Sequence, residues 1–242
     1  MFTPNHFIWI ALCIVFVAGM SVFCRKKDLS LRCAAYIMCG ICVLSELCKM
    51  MTHMIESPQG GMVLDPEALP FHLCSLMLFG VLFIAFGTDG AAKQAVIDFI
   101  AVMGTLGSVC AILIPTDGVE FTSIYAYQCF VYHGGLLWFS LYLILQKKAR
   151  FGGRIFLRNI GILLFLVLIA LYVNSALSVY GTNFMFLVRP PLEGLPYLNL
   201  NRGWHVYFLR VVALGIVLLT LFHLPFILHV RKMRTQSLKS AR

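Results

Sequence analysis

Long apolar segments alternate with short polar ones along the whole chain. A transmembrane helix needs about 20 mostly apolar residues, and continuous apolar runs favour helices over the alternating ten-residue segments of a transmembrane barrel. Runs of sufficient length occupy seven stretches, 7–24, 33–53, 70–87, 94–114, 126–146, 156–177 and 204–228. The pattern predicts an all-α, polytopic membrane protein, with seven transmembrane helices in a single domain over 1–242 and a basic tail at 229–242.

The distribution of basic residues predicts the orientation of these helices. Fifteen of the 19 Lys and Arg residues follow the first, third, fifth and seventh spans, at 25–32, 93, 147–158 and 231–242. The opposite loops carry only Arg189 and Arg202 among basic residues, together with most of the acidic ones. Because cytoplasmic loops are enriched in Lys and Arg, we expect the N-terminus outside and the C-terminus inside. The basic tail is then cytoplasmic and near anionic lipid headgroups.

Composition narrows the class of protein further. Hydrophobic residues make up 60% of the 242 residues and charged residues 12%, with a mean hydropathy of +0.89. A soluble domain carries about 25% charged residues, so a soluble enzyme, a disordered chain and a disulfide-stapled secreted module are excluded. The net charge of +9 is interpreted as an orientation signal, and no nucleic-acid partner is expected. The nine cysteines include no paired Cys and His motif typical of zinc, so we expect no metal and no cofactor.

Ionisable residues inside apolar spans are costly and are functional candidates. We single out seven such residues: Glu46, Lys49, His53, His72, His133, Arg210 and His223. At 1.5 Å per helical residue, all except His223 fall in the predicted outer half, and they come from four different spans. This agreement in depth predicts a polar cavity that opens toward the outer leaflet or the outer aqueous phase.

Each of these residues also has a structural interpretation. Glu46 and Lys49 are three residues apart, so they can neutralise each other on one helix face. Arg210 can extend toward the headgroups, and His223 suits simple packing. The two glycines of YHGG, after His133, leave room either for close helix packing or for a ligand.

Two Cys/His pairs are candidates for nucleophilic chemistry. Cys129 and His133 are four residues apart and share a helix face, an arrangement that allows a thiolate–imidazole couple. His72 and Cys74 are two residues apart, so on a regular helix they point to nearly opposite sides. They can face one substrate only if Pro70 delays the start of the helix.

Four motifs occur in an order that resembles the bacterial YwaF-type integral membrane family. They are PFHLC at 70–74, YHGG at 132–135, GTNFMFLVRPP at 181–191 and RGWHVYFL at 202–209, with ILIPTDG at 112–118 similar to the family's T-P segment. The chain departs from the bacterial pattern at Phe184, where Tyr is usual, and at His205, where Pro is usual. YwaF-type proteins are more distantly similar to the eukaryotic family of transmembrane protein 164.

The resemblance implies a compact seven-span fold, most naturally in a bacterial inner or plasma membrane. The eukaryotic relative is a glycerophospholipid acyltransferase that is thought to use a Cys thioester with a His partner, and a more distant group of lipid hydrolases uses Thr and His. The family histidines correspond to His72 and His133. The position of the eukaryotic Cys, immediately before the first His, is Phe71 here, so the nucleophile does not carry over.

We therefore weigh a membrane lipid-processing enzyme, either an acyltransferase or a hydrolase, against a small transporter or a lipid- or solute-binding protein. A retinal protein is disfavoured because the intramembrane Lys lies in the second span rather than the last. For the enzyme, the predicted catalytic residues are His133, His72, Cys74 and Cys129. The predicted substrate-binding residues are Asn183, Arg189, Glu46, Lys49 and Arg210. Membrane lipids are the expected substrates or ligands. Arg189 would hold a phosphate headgroup, whereas Asn183 would assist the base, stabilise developing charge or simply form the turn after Gly181.

Overall fold

The computed structural model describes residues 2–57, 60–116, 118–192 and 194–240, with the backbone alone over 229–240. Seven α-helices occupy this part of the chain. They are α1 (Pro4–Lys26), α2 (Leu31–Thr52), α3 (Leu73–Phe86), α4 (Ala91–Leu113), α5 (Ile124–Leu145), α6 (Gly153–Ala176) and α7 (Trp204–Ser240). A small hairpin follows α2, in which β1 (Met54–Glu56) and β2 (Met62–Leu64) pair antiparallel with Ile55 opposite Val63.

Six of these helices are long and apolar enough to cross a membrane, so the protein is an integral, multi-pass membrane protein. The third predicted span differs from the prediction. Instead of 70–87, α3 has 14 residues, a length of about 21 Å against a hydrocarbon core of about 30 Å. The seventh helix extends beyond the predicted end at 228 and continues to Ser240. A seventh crossing, the orientation and the cytoplasmic tail stay predictions.

The backbone before α3 is extended. Pro70 has no N–H group and keeps the preceding residue out of the helical region, and Leu69 is extended, with φ −60° and ψ 147°. His72 is also extended, with φ −68° and ψ 145°, and is the N-cap. The helix therefore begins three residues later than the apolar run.

The centre of the bundle is α5, which packs against α1, α2 and α4, while α3 packs between α2 and α4. Its buried residues Trp138, Phe139 and Leu143 belong to the main apolar core. α4 and α5 are in tight contact at Gly104, where an added Cβ would lie 2.1 Å from Ser140 Oγ. Small residues at such positions let helices in membranes approach closely.

The last two helices are more peripheral, and a folded loop joins them. On α6 and α7 large apolar side chains such as Leu168 and Leu209 are exposed, as expected of surfaces that face lipid. The loop between the two helices sends Phe184, fully buried, into a small core with Ala170 of α6 and Phe208 of α7.

Candidate active site

A cavity of about 690 Å³ lies among α2, α3, α4, α5 and the loop before α7. This volume is within the range typical of ligand sites. The short α3 contributes to this cavity, because α3 has 14 residues and the neighbouring α2 has 22. Of the six residues predicted to share the outer half, five line this cavity: Glu46, Lys49, His53, His72 and His133. Cys74 and Cys129 line it as well.

His133 lies on α5 with its ring half-buried in the cavity wall. Its Nδ1 is 2.8 Å from the carbonyl oxygen of Cys129. Because a carbonyl only accepts hydrogen bonds, Nδ1 carries the proton of the neutral ring and donates it there. The lone pair is therefore on Nε2, which is the nitrogen of His133 able to take a proton from a reacting group.

This geometry bears on the predicted couple between Cys129 and His133. The two residues are in contact, with Cys129 Sγ 3.6 Å from His133 Nδ1. That nitrogen, however, already donates to the Cys129 carbonyl, so in this tautomer it cannot accept the thiol proton. Contact within the pair thus does not by itself make Cys129 a nucleophile activated by His133.

His72 has the opposite arrangement of protons. The backbone N–H of Met185 donates to His72 Nδ1 over 3.3 Å, so the proton of the neutral ring is on Nε2. The ring is held between Phe184 and Phe186, with centroid separations of 5.6 and 5.2 Å. His72 Nε2 is therefore a hydrogen-bond donor, whereas His133 Nε2 is an acceptor.

The loop that contacts His72 has an unusual backbone. Met185 and Phe186 both have positive φ, at 57° and 54°, a conformation that costs non-glycine residues about 1–3 kcal/mol each. Asn174 of α6 holds the loop by bonding both the N–H and the carbonyl of Phe184. Tyr207 Oη donates to the Phe186 carbonyl over 2.5 Å. The fold thus holds a strained segment against His72.

Cys74 is the second residue of α3 and lines the same cavity as His72. The condition that the sequence sets for this pair is met, because the helix starts at Leu73 and His72 lies outside its regular geometry. The His72 side chain provides no cap, and the first-turn residues Leu73, Cys74 and Ser75, at the positive end of the helix dipole, line the cavity. The carbonyl of Cys74 accepts a hydrogen bond from Tyr132 Oη.

An ion pair lies beside this helix end. Lys49 Nζ is 2.7 Å from Glu46 Oε2 and donates to Ser75 Oγ over 2.9 Å. Both charged side chains line the cavity while neutralising each other, so the structural interpretation of the pair and a role at the site are compatible.

The comparison with known families agrees with the sequence resemblance. The TMEM164 family model matches residues 1–223, which include every residue that lines the cavity. The chain belongs to the TMEM164 family. No curated protein and no solved structure matches it.

Three predicted substrate-binding residues of this TMEM164 family protein are outside the described lining of the cavity. Asn183 is buried, and its side chain bonds the backbone of Val188 and Arg189, which is the turn-forming alternative. Arg189 bonds the Gly181 carbonyl over 2.6 Å and lies 3.5 Å from Glu67.

Arg210 and His223 are engaged elsewhere. Arg210 donates to the carbonyl of Tyr197 and to Asn199 Oδ1, both over 3.2 Å. His223 is fully buried, and its ring packs against Phe156 at 5.0 Å, as the packing interpretation expects.

Sequence reasoning missed several polar residues of the cavity wall, including Gln128, Tyr132 and Ser75. Gln128 and Tyr132 repeat the four-residue spacing of Cys129 and His133, so the periodicity of α5 contained this signal. Asp98, Arg158 and His205 are further ionisable residues within the predicted spans, outside the seven singled out above. Asp98 is fully buried in α4 and pairs with Arg158 over 2.5 Å, at the end of α4 away from the cavity.

Proposed function

We propose that this protein is a membrane-embedded lipid-processing enzyme, an acyltransferase or a hydrolase, that attacks a lipid ester in the cavity. The observation that carries the proposal is the convergence of two neutral histidines with opposite proton arrangements on one cavity of ligand size. His133 has an acceptor at Nε2 and His72 a donor at Nε2. Acyl transfer needs such a base together with donors for the developing oxyanion.

In this mechanism His133 Nε2 takes the proton of the nucleophile as the new bond to the ester carbonyl carbon forms. The carbonyl oxygen gains negative charge, which His72 Nε2–H and the first-turn N–H groups of α3 stabilise. When the tetrahedral intermediate collapses, the alcohol of the lysolipid leaves and takes the proton back from His133. Atoms and charges balance without another reagent in this half-reaction.

Cys74 is the nucleophile that the geometry favours for the acyltransferase form. It is at the N-terminus of α3 and lines the same cavity as His72 and His133. Phe71, at the position of the family's Cys, instead packs on Phe184 with a ring separation of 5.4 Å and is absent from the described lining of the cavity. The acyl thioester on Cys74 would pass its acyl group to the hydroxyl of a second lipid or to water. In the hydrolase form, water itself is the nucleophile.

A second function, transport or binding without chemistry, is favoured by one feature. The N-terminus of the short α3 faces the cavity, as do the broken helices of secondary transporters that bind anionic groups. Such a protein would need the positive helix end and Lys49 but would not need His133 as a base.

The test is turnover of a defined phospholipid in proteoliposomes, measured as lysolipid, free fatty acid and transferred acyl chains by mass spectrometry. We expect His133→Ala to lower the rate 100-fold or more, the usual contribution of a general base. His205→Ala is the matched control, since His205 is exposed and absent from the cavity lining.

Cysteine variants separate the two chemical forms. Loss of activity in Cys74→Ala with retention in Cys129→Ala and in the exposed control Cys33→Ala would establish the thioester route. Loss in His133→Ala with full activity in all three cysteine variants would indicate hydrolysis by water. Folded wild-type protein that leaves every lipid unchanged would overturn the enzyme and support the binding function.

A further inference from the structure

The walls of the cavity differ in polarity. The α2 wall carries Glu46, Lys49 and His53, whereas α4 contributes small or apolar residues at helical spacing, Gly107, Cys110, Ala111 and Ile114. The apolar part of an amphiphile bound in this cavity would therefore contact α4. Gly107 is the first of these residues along α4 and follows a stretch at 101–105 that is buried.

A small second cavity of about 30 Å³ adjoins the first at this point. The two share Leu73, Cys74 and Gly107, and the second is otherwise lined by the apolar side chains of Met77, Met103 and Leu136. Its volume is that of a single small group. Because methionine side chains are flexible and adapt to irregular space, Met77 and Met103 allow it to lengthen.

Gly107 is not needed for helix packing. A Cβ added at Gly107 meets nothing within 4 Å. One turn earlier the same test at Gly104 gives 2.1 Å to Ser140 Oγ, so that glycine permits the contact between α4 and α5. The absence of a side chain at Gly107 instead keeps the connection between the two cavities open beside Cys74.

We infer that Gly107 is a specificity-determining residue, over which the acyl chain of the substrate passes from Cys74 into the apolar pocket between α3, α4 and α5. The inference rests on the proposed function for the position of the ester. On the α4 side the chain meets the small or apolar residues that begin at Gly107 and lead to the second cavity, and burial of apolar surface drives its binding. Methionine packing at the end of the pocket limits the length of the chain.

The test uses binding rather than turnover. Proteoliposomes receive a phosphatidylcholine with a photoreactive diazirine at the end of one acyl chain, and labelled peptides are identified after irradiation. We expect label on the segments of Met77 and Met103 in the wild type and at least tenfold less in Gly107→Leu. Gly161→Leu is the matched control, because Gly161 lies on α6 with nothing within 4 Å of an added Cβ and should keep full labelling.

Two further variants make the outcome decisive. Gly107→Ala adds one methyl group in open space and should reduce labelling less than Gly107→Leu does, which guards against a failure of the larger variant to fold. Met103→Ala should shift the preference toward longer chains. Equal labelling of Gly107→Leu and wild type, or wild-type labelling only outside this pocket, would overturn the inference. Labelling here without any ester turnover would overturn the proposed function alone.

Discussion

The contact between α4 and α5 at Gly104 provides a sharp test of the packing around the site. In Gly104→Ala the new methyl group would lie 2.1 Å from Ser140 Oγ, which donates to the Ile100 carbonyl over 3.1 Å. The hydroxyl must rotate away or the helices must separate. If Ser140 is also changed to Ala, the nearest atoms are 3.4 Å from the methyl group, on Leu136 and Ser140, and the clash disappears.

The expected free energies follow from these distances. Loss of the interhelical hydrogen bond alone, in Ser140→Ala, should cost about 0.6 kcal/mol and at most about 1.7. Gly104→Ala should cost about 1–3 kcal/mol through overpacking, less about 0.5–1 kcal/mol gained in helix propensity. In the double variant the overpacking cost is absent, and only the lost hydrogen bond and the gain in helix propensity remain. Ser140→Ala should therefore destabilise the wild type but stabilise the Gly104→Ala protein.

The assay is reversible unfolding in detergent micelles or bicelles of the wild type, both single variants and the double variant. Gly107→Ala is the control on the same helix and should be neutral or more stable by up to about 1 kcal/mol. Independent sites add within about 0.5 kcal/mol. Additive effects of Gly104→Ala and Ser140→Ala within that limit would refute the reasoning about this contact.

Three other predictions concern groups around the bundle. Asp98→Asn should lower the free energy of unfolding by roughly 2 kcal/mol in the same assay. This is less than the 3–5 kcal/mol of a fully buried pair, because Arg158 is one-third exposed. An unchanged unfolding midpoint would contradict this prediction. Asn174→Ala leaves two buried backbone groups of the loop without partners and should cost about 1–3 kcal/mol. Asn174→Asp keeps the acceptor for the Phe184 N–H but places a buried carboxylate against the Phe184 carbonyl, so it should cost at least as much; an unchanged unfolding midpoint in both variants would argue against these bonds. The hydrogen bond from Lys93 and its charge lower the pKa of Asp89 below its usual 3.8, so the small stabilisation it gives is present above that pH and is lost as the pH falls through the folded-state pKa. The difference in unfolding midpoint between wild type and Asp89→Asn should vanish in the same range, and a difference that persists at lower pH would show another cause.

The sequence predicted the helical architecture well, because membrane spans depend on local composition. A run such as that of α6 satisfies its own backbone hydrogen bonds in lipid whatever its neighbours are. The starts of α1, α4, α5 and α6 are therefore within three residues of the predicted ones. The start of α3 was missed because hydropathy does not distinguish the apolar residues of a helix from the extended ones before it, such as Leu69.

The sequence predicted the depth of the candidate site in the membrane but not the arrangement of its side chains. Ionisable residues that agree in depth indicated a shared cavity, and five of the six line one. Depth alone could not show that Arg210 lies outside the cavity lining, because its partners Tyr197 and Asn199 come from a loop whose path is set by tertiary contacts. Asn183 also lies outside the lining, because its side chain accepts hydrogen bonds from the backbone of its own loop.

By itself, the sequence determined that the chain is an all-α membrane protein and which of its singled-out ionisable residues share a depth in the membrane. Both depend on residue type and on spacing along one helix, where the rise of 1.5 Å per residue fixes relative position. The Cys129 carbonyl, which decides where His133 holds its proton, lies one turn away on the same helix. Only the tertiary structure decided which nitrogen of His72 holds the proton, because that depends on the Met185 N–H. Met185 is 113 residues away from His72, and packing between helices, which no local pattern encodes, brings the two together.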